Sequence, residues 1–139
     1  MMKIFLDTNV LLDVILEREG VQAVRQLLEI AKAGNDIRLY VSYLSIANAA
    51  FVLRRRPADE IKTLLKELMN YCNVLQCTDM QIYEGIRGVD CPDFEDGLQI
   101  MCAESNHCDL ILTSNVRHFY GCTELPVLTA ADFVSHCGR

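Results

Sequence analysis

Short apolar runs alternate along the chain with longer stretches in which apolar residues recur every three or four positions. Lys3–Leu6 is a brief apolar run ending in Asp7-Thr8-Asn9, and it reads as a first strand. Val10, Leu11, Val14 and Ile15 follow at helical spacing, and Val21–Ala33 repeats that pattern through Val24, Leu27, Leu28 and Ala31. Gly34-Asn35 supplies a stop signal, and Leu39–Val41 reads as a second strand. Ser45 is the predicted N-cap of a helix through Ile46, Ala49, Ala50 and Leu53, closing on Arg54-Arg55-Arg56 ahead of Pro57. Ala58–Tyr71 is amphipathic through Ile61, Leu64, Leu65, Leu68 and Met69. Val74-Leu75 is a minimal strand, and Thr78 with Gln81 has the spacing of a capping box that opens a short helix. Cys91-Pro92-Asp93 opens another helix that runs to about Asn106. Leu110–Thr113 and Val127-Leu128 complete the strands, and Thr129–His136 is a closing helix.

Strand alternating with helix implies an α/β domain whose parallel sheet is covered by helices on both faces, with right-handed crossovers. No repeat or linker interrupts the pattern, so residues 1–139 are expected to form one domain. A hydrophobic fraction of 51% beside 23% charged residues excludes disorder. The first apolar run ends at Asp7, too soon for a signal peptide or a membrane span, and later runs are broken by charge. The expectation is a cytoplasmic protein. The seven cysteines form no C-x-x-C pair, and their odd number suits reduced thiols acting as small apolar residues. With 13 basic against 19 acidic residues the net charge is −6, which argues against non-specific coating of nucleic acid. It leaves room for a local basic rim or a basic partner.

In open α/β sheets ligands bind beyond the carboxyl ends of the strands, so residues leaving strand ends come first. Asp7 leaves the first strand, and Asn115 follows the fourth through Thr113-Ser114. An acid in the position of Asp7 is either exposed in a crevice or paired, and it can also cap the helix that follows. Asn9 can serve as a turn residue. Asp93 and Asp96, three apart, are expected on one face of the first turn of their helix, where the dipole favours negative charge. Glu95 is expected on another face in solvent, and Asp13 on the surface. Asp7, Asp93 and Asp96 together are hard oxygen donors of the kind that hold Mg²⁺ or Mn²⁺, and such an ion suits phosphodiester hydrolysis.

The segment Ile4-Phe5-Leu6-Asp7-Thr8-Asn9-Val10-Leu11-Leu12-Asp13 resembles the opening of PIN domains. Asp93-Phe94-Glu95-Asp96 with Ala103 is similar to the third motif of that family. Leu112-Thr113-Ser114-Asn115 with Phe119 is similar to its fourth, and Val127–Phe133 to its usual ending. The resemblance implies a three-layer α/β/α sandwich around a parallel sheet of about five strands, usually in a homodimer. It implies a metal site in which Asp7, Asp96 and the neighbouring Asp93 are both ligands and catalytic residues, supported by Asn9, Asn48, Thr113 and Asn115. Two departures stand out. Ser45-Ile46-Ala47-Asn48 places Asn48 where the second motif usually has a glutamate, and Asn115 ends the fourth motif where an aspartate is common. Fewer carboxylates imply weaker metal binding.

The activity so implied is a Mg²⁺- or Mn²⁺-dependent endoribonuclease, the toxin of a type II toxin–antitoxin pair, with RNA as substrate and an antitoxin protein as partner. The alternative is a degenerate PIN domain that binds RNA or protein without cleaving. Arg54, Arg55 and Arg56 either complement a helix end or contact phosphate, and Arg117 and His118 lie close behind the fourth strand. A haloacid dehalogenase-type phosphatase would need an aspartate where Asn9 stands.

Overall fold

The computed structural model describes residues 1–34, 36–88 and 90–137. Its first strand, β1 (Met2–Leu6), has no solvent face beyond its first residues. Ile4 and Leu6 point into one half of the core, with Val10, Leu11, Val24, Leu27 and Phe133, while Phe5 points into the other, with Ile100, Ala103, Ile111 and Phe119. The strand β4 (Leu110–Leu112) repeats the alternation: Leu110 and Leu112 join the first half and Ile111 the second. A strand covered on both faces must be apolar throughout, which is why both read as unbroken apolar runs.

The sheet contains β2 (Ile37–Ser42), β3 (Cys72–Leu75) and β5 (Val127–Leu128) as well, in the order β3-β2-β1-β4-β5. Every pairing is parallel. This is the expected five-stranded parallel sandwich. The chain leaves β1 toward β2 on one side and reaches β4 on the other, so the switch in strand order lies between β1 and β4. The helices are α1 (Thr8–Ile15), α2 (Val21–Ala33), α3 (Tyr43–Val52), α4 (Ala58–Met69), α5 (Asp79–Gly88), α6 (Phe94–Ser105) and α7 (Ala130–Cys137). Helices α1, α2 and α7 supply one half of the core and α6 the other. Gly85 lets α5 lie close on α6, since a Cβ there would stand 2.7 Å from Met101 Cγ.

Several boundaries shift. The second helix after β1 begins as expected at Val21, but it ends in extended backbone at Gly34 rather than in a left-handed cap. Asn35 lies outside the described residues. Ser45 is not the cap of α3. Ser42 is, accepting a bond from the Ser45 N–H at 3.1 Å, and the helix already starts at Tyr43. Strand pairing causes this: Ser42 is still in register with Leu75, so the chain passes from strand to helix without a loop. The helix also stops at Val52, ahead of the arginines. Thr78 and Gln81 do form the capping box, exchanging bonds of 2.9 and 3.1 Å. Among the described residues, no helix is long and apolar enough to cross a membrane. All seven cysteines are free.

Candidate functional site

Asp7 ends β1 and begins α1, and both roles fix its side chain. One carboxylate oxygen accepts the Thr8 N–H at 2.9 Å, as an N-cap does, and the other accepts the Thr113 hydroxyl at 2.9 Å. Its own N–H donates to Leu112 O at 2.9 Å. Asp7 and Thr113 therefore bridge the switch in strand order, where a ligand is expected. The residue is 2% exposed. Burial, opposed by the Thr113 bond and reinforced by the Asp96 charge, pushes its pKa up to about 6.

The second acidic element is the start of α6. Asp93 is the N-cap, and its Oδ1 accepts the Asp96 N–H at 3.0 Å. It is exposed and caps the helix, and its charge acts on both Asp96 and Glu95. Asp96 is half-buried, and desolvation followed by the Asp93 charge raises its pKa. The His118 ring stands 4.0 Å from Asp96 Oδ2. Glu95 is not free in solvent on an unrelated face: the Asn48 amide on α3 donates to its Oε1 at 2.8 Å. Desolvation, then the charges of Asp96 and Asp93, raise the pKa of Glu95, and Glu95 in turn adds to the rise at Asp7. Asn48 thus holds an acid rather than standing alone where one is missing.

Asp13 corrects the expectation of a surface residue. It is 9% exposed and accepts the Ser114 hydroxyl at 2.7 Å, because α1 runs beneath the loop that follows β4. Asn9 is half-buried in the first turn of α1. Asn115 is exposed and joins the site by its backbone, its N–H donating to Thr113 Oγ1 at 3.1 Å. Arg117 and His118 lie on a 3-10 turn, Val116–Phe119, anchored by buried Phe119. Arg54 stacks on Phe51 at 4.0 Å and bonds its carbonyl, while Arg56 pairs with Glu60 at 3.0 Å, so these two are held locally and Arg55 is exposed.

The donors facing one another are all carboxylate oxygens, which suits Mg²⁺ or Mn²⁺ in kind. The charges of Asp96 and Glu95 raise the pKa of Asp7, those of Asp96 and Asp93 raise that of Glu95, and that of Asp93 raises that of Asp96, a repulsion that a divalent cation would relieve. Among the described residues, no three histidine, cysteine, aspartate or glutamate side chains stand close enough to close on one ion. The pattern of acids in sequence could have signalled Glu95 through its place in Asp93-Phe94-Glu95-Asp96. Its link to Asn48, 47 positions away, has no signal in the sequence.

The fold and its acids define an open parallel α/β domain with an acidic cluster at the switch between β1 and β4. Residues 3–117 match the family model for the PIN domain. The chain is 30% identical to Ribonuclease VapC1 of Aquifex aeolicus (strain VF5), over 94% of this chain and 92% of that relative. Among solved structures it is similar to VapBC2 from Rickettsia felis bound to a DNA fragment from the promoter, with a TM-score of 0.71 at 15% identity, covering 91% of this chain and 97% of that one. It is also similar to VapBC-1 from nontypeable Haemophilus influenzae, with a TM-score of 0.69 at 18% identity, covering 93% and 98%. The chain belongs to the PIN domain family.

Proposed function

We propose that this chain is a Mg²⁺- or Mn²⁺-dependent endoribonuclease acting in the cytoplasm as the toxin of a type II toxin–antitoxin pair. The observation that carries the reading is the pairing of buried Asp7 with half-buried Asp96 across the switch point, in a chain 30% identical to a VapC ribonuclease. In this reading Asp7 and Asp96 hold the ion, Glu95 adds a third carboxylate beside them, and Asp93 keeps the helix that carries both α6 acids in place. The ion would supply Lewis-acid chemistry, neutralising charge at the scissile phosphate and activating water for attack. Asp7, with its pKa near 6, is mostly ionised at neutral pH, and Thr113 and the Thr8 N–H hold its two oxygens in a fixed direction. His118, whose ring stands 4.0 Å from Asp96, and its exposed neighbour Arg117 would contact a phosphate at the site, and exposed Arg55, in the turn after α3, would offer a further cation.

An antitoxin protein as the partner of this chain is part of the proposal. A groove of about 740 Å³ runs between α1, α2 and α4, lined by Leu11, Val14, Leu28, Leu64, Leu68 and Tyr71. Arg25, Arg56, Glu29 and Glu67 stand at its margins. Such a groove suits the apolar face of an amphipathic segment from an antitoxin. A homodimer would cover Tyr43 and Phe51, which lie eight residues apart on the exposed face of α3.

One observation favours the second reading, a degenerate domain that binds without cleaving: no three candidate ligands among the described residues close on one ion. Cleavage of a mixed single-stranded RNA panel with Mn²⁺ and Mg²⁺ decides between them. The expected result is cleavage by the parent that disappears in Asp7→Asn and Asp96→Asn and on chelation with EDTA. Absence of cleavage by antitoxin-free protein, or equal cleavage by both variants, would establish the degenerate reading.

A further inference from the structure

Behind Asp7 lies a buried polar network that the reaction described above does not use. Gln99, on α6 one turn after Asp96, is 0% exposed. Its amide nitrogen donates to Thr8 Oγ1 at 3.0 Å and to Ser45 Oγ at 2.8 Å, and its Oε1 accepts the Ser42 hydroxyl at 2.6 Å. The Thr8 hydroxyl in turn donates to Ser45 Oγ at 2.9 Å. Both amide protons and the amide oxygen are therefore engaged. No member of the network carries a charge, and each is buried: Ser45 is 0%, Ser42 3% and Thr8 6% exposed.

The partners are not spread at random. Thr8 is the first residue of α1 and holds Asp7 through its N–H. Ser42 caps α3, the helix that carries Asn48, and Ser45 lies in its first turn. Gln99 itself is on the helix that carries Glu95 and Asp96. One side chain thus ties α6, a turn beyond Asp96, to the N-terminal ends of α1 and α3, the helices that follow Asp7 and carry Asn48. A leucine in this place would fill the core as well, yet it would leave the three hydroxyls only the bonds they make among themselves. A long-range amide fork has directional demands that apolar packing lacks, so it sets helix positions to within a hydrogen bond's tolerance.

We propose that Gln99 is a positioning residue, whose amide fork fixes the separation of Asp7 from Asp96 and thereby the affinity of the site for its divalent ion. This rests on the nuclease reading above. The test measures Mn²⁺ binding by electron paramagnetic resonance on the full chain, beside RNA cleavage as a function of Mn²⁺ concentration. Gln99→Met keeps the volume and removes the fork. Thr8→Val removes only the Thr8 hydroxyl and guards against a misfolded Gln99→Met. Thr8→Ser keeps that hydroxyl. Ile100→Val is the control: it trims a core side chain that joins the opposite half of the core from Thr8's helix.

The expected result is a rise in the Mn²⁺ dissociation constant of about tenfold in Gln99→Met and Thr8→Val, with cleavage partly recovered at high Mn²⁺. Thr8→Ser and Ile100→Val should bind within about twofold of the parent. Parent-like Mn²⁺ affinity in both Gln99→Met and Thr8→Val, with only a lower melting temperature, overturns the proposal and makes the network plain core. A parent that binds no Mn²⁺ overturns the nuclease reading and this proposal together, so the two failures are told apart by the parent alone.

Discussion

The acidic site is built from two unlike halves. Asp7 is an extension of the core: 2% exposed, held at both oxygens, and lying where β1 and β4 part. The acids at the start of α6 belong to a helix end: Asp93 and Glu95 are exposed, Asp96 is half-buried, and each is held by one or two bonds or by charge alone. The contrast teaches where each half keeps its energy. A buried carboxylate raised to a pKa of about 6 is a site the fold tolerates at a cost, whereas exposed acids in a first helical turn are favourable to the helix. An acid placed in the core opposes stability, and acids placed at the helix end support it.

Asp7→Asn should show the contrast most strongly. Cleavage should fall about 100-fold or more, in line with loss of several kcal/mol of charge stabilisation. The same variant should be more stable at pH 7. A carboxylate whose folded pKa lies above its unfolded value of 3.8 binds more protons when folded, so its contribution to stability is present below about pH 4 and is lost as pH rises through about 6. The difference corresponds to about 3 kcal/mol at most. Thermal melts without divalent ions, taken from pH 4 to 7, check this: the parent should weaken relative to Asp7→Asn across that window. Parallel pH profiles for the two would sink the idea that Asp7 is a stored cost.

A smaller effect is expected at the helix end. Glu95→Gln should lower Mn²⁺ affinity and cleavage by about tenfold, about 1.4 kcal/mol. Because Asn48 lies 2.8 Å from the Glu95 carboxylate, Asn48→Glu places an acid in nearly the same spot, and the double variant should regain most of the loss. A double variant no better than Glu95→Gln would show that the acid at 95 acts from its own helix and not from the place the amide gives it.

Asp93 sharpens the comparison from the other side. Asp93→Asn keeps a good N-cap and should cleave within a few-fold of the parent, while Asp93→Ala should lose about 1 kcal/mol of stability in urea unfolding. A collapse of activity in the asparagine variant would make Asp93 a ligand after all. The smallest effect belongs to His118→Ala. An exposed ring 4.0 Å from Asp96 should change cleavage by no more than a few-fold, with the change vanishing in high salt.

Local pattern alone determined much of this protein. Unbroken apolar runs at Ile4–Leu6 and Leu110–Leu112 specify strands covered on both faces, and the 3.6-residue recurrence at Val21–Ala33 and Ala58–Met69 specifies helices with one apolar side. The place of Asp7 at the end of the central strand, and of Asp93 and Asp96 at a helix start, follows from that same pattern. Tertiary structure decided the rest, because it rests on pairs far apart in the chain. Strand register, with Ser42 opposite Leu75, moved the start of α3 ahead of Ser45. The loop after β4 turned Asp13 from a surface acid into a buried partner of Ser114, 101 positions away. The packing of α3 beside α6 brought Asn48 to Glu95, and Gln99, which reads in sequence as one polar residue on a helix, became the hub of a buried network. Periodicity encodes which face a residue presents. What that face meets is a property of the assembled layers, and the chemistry of the site depends on the meeting.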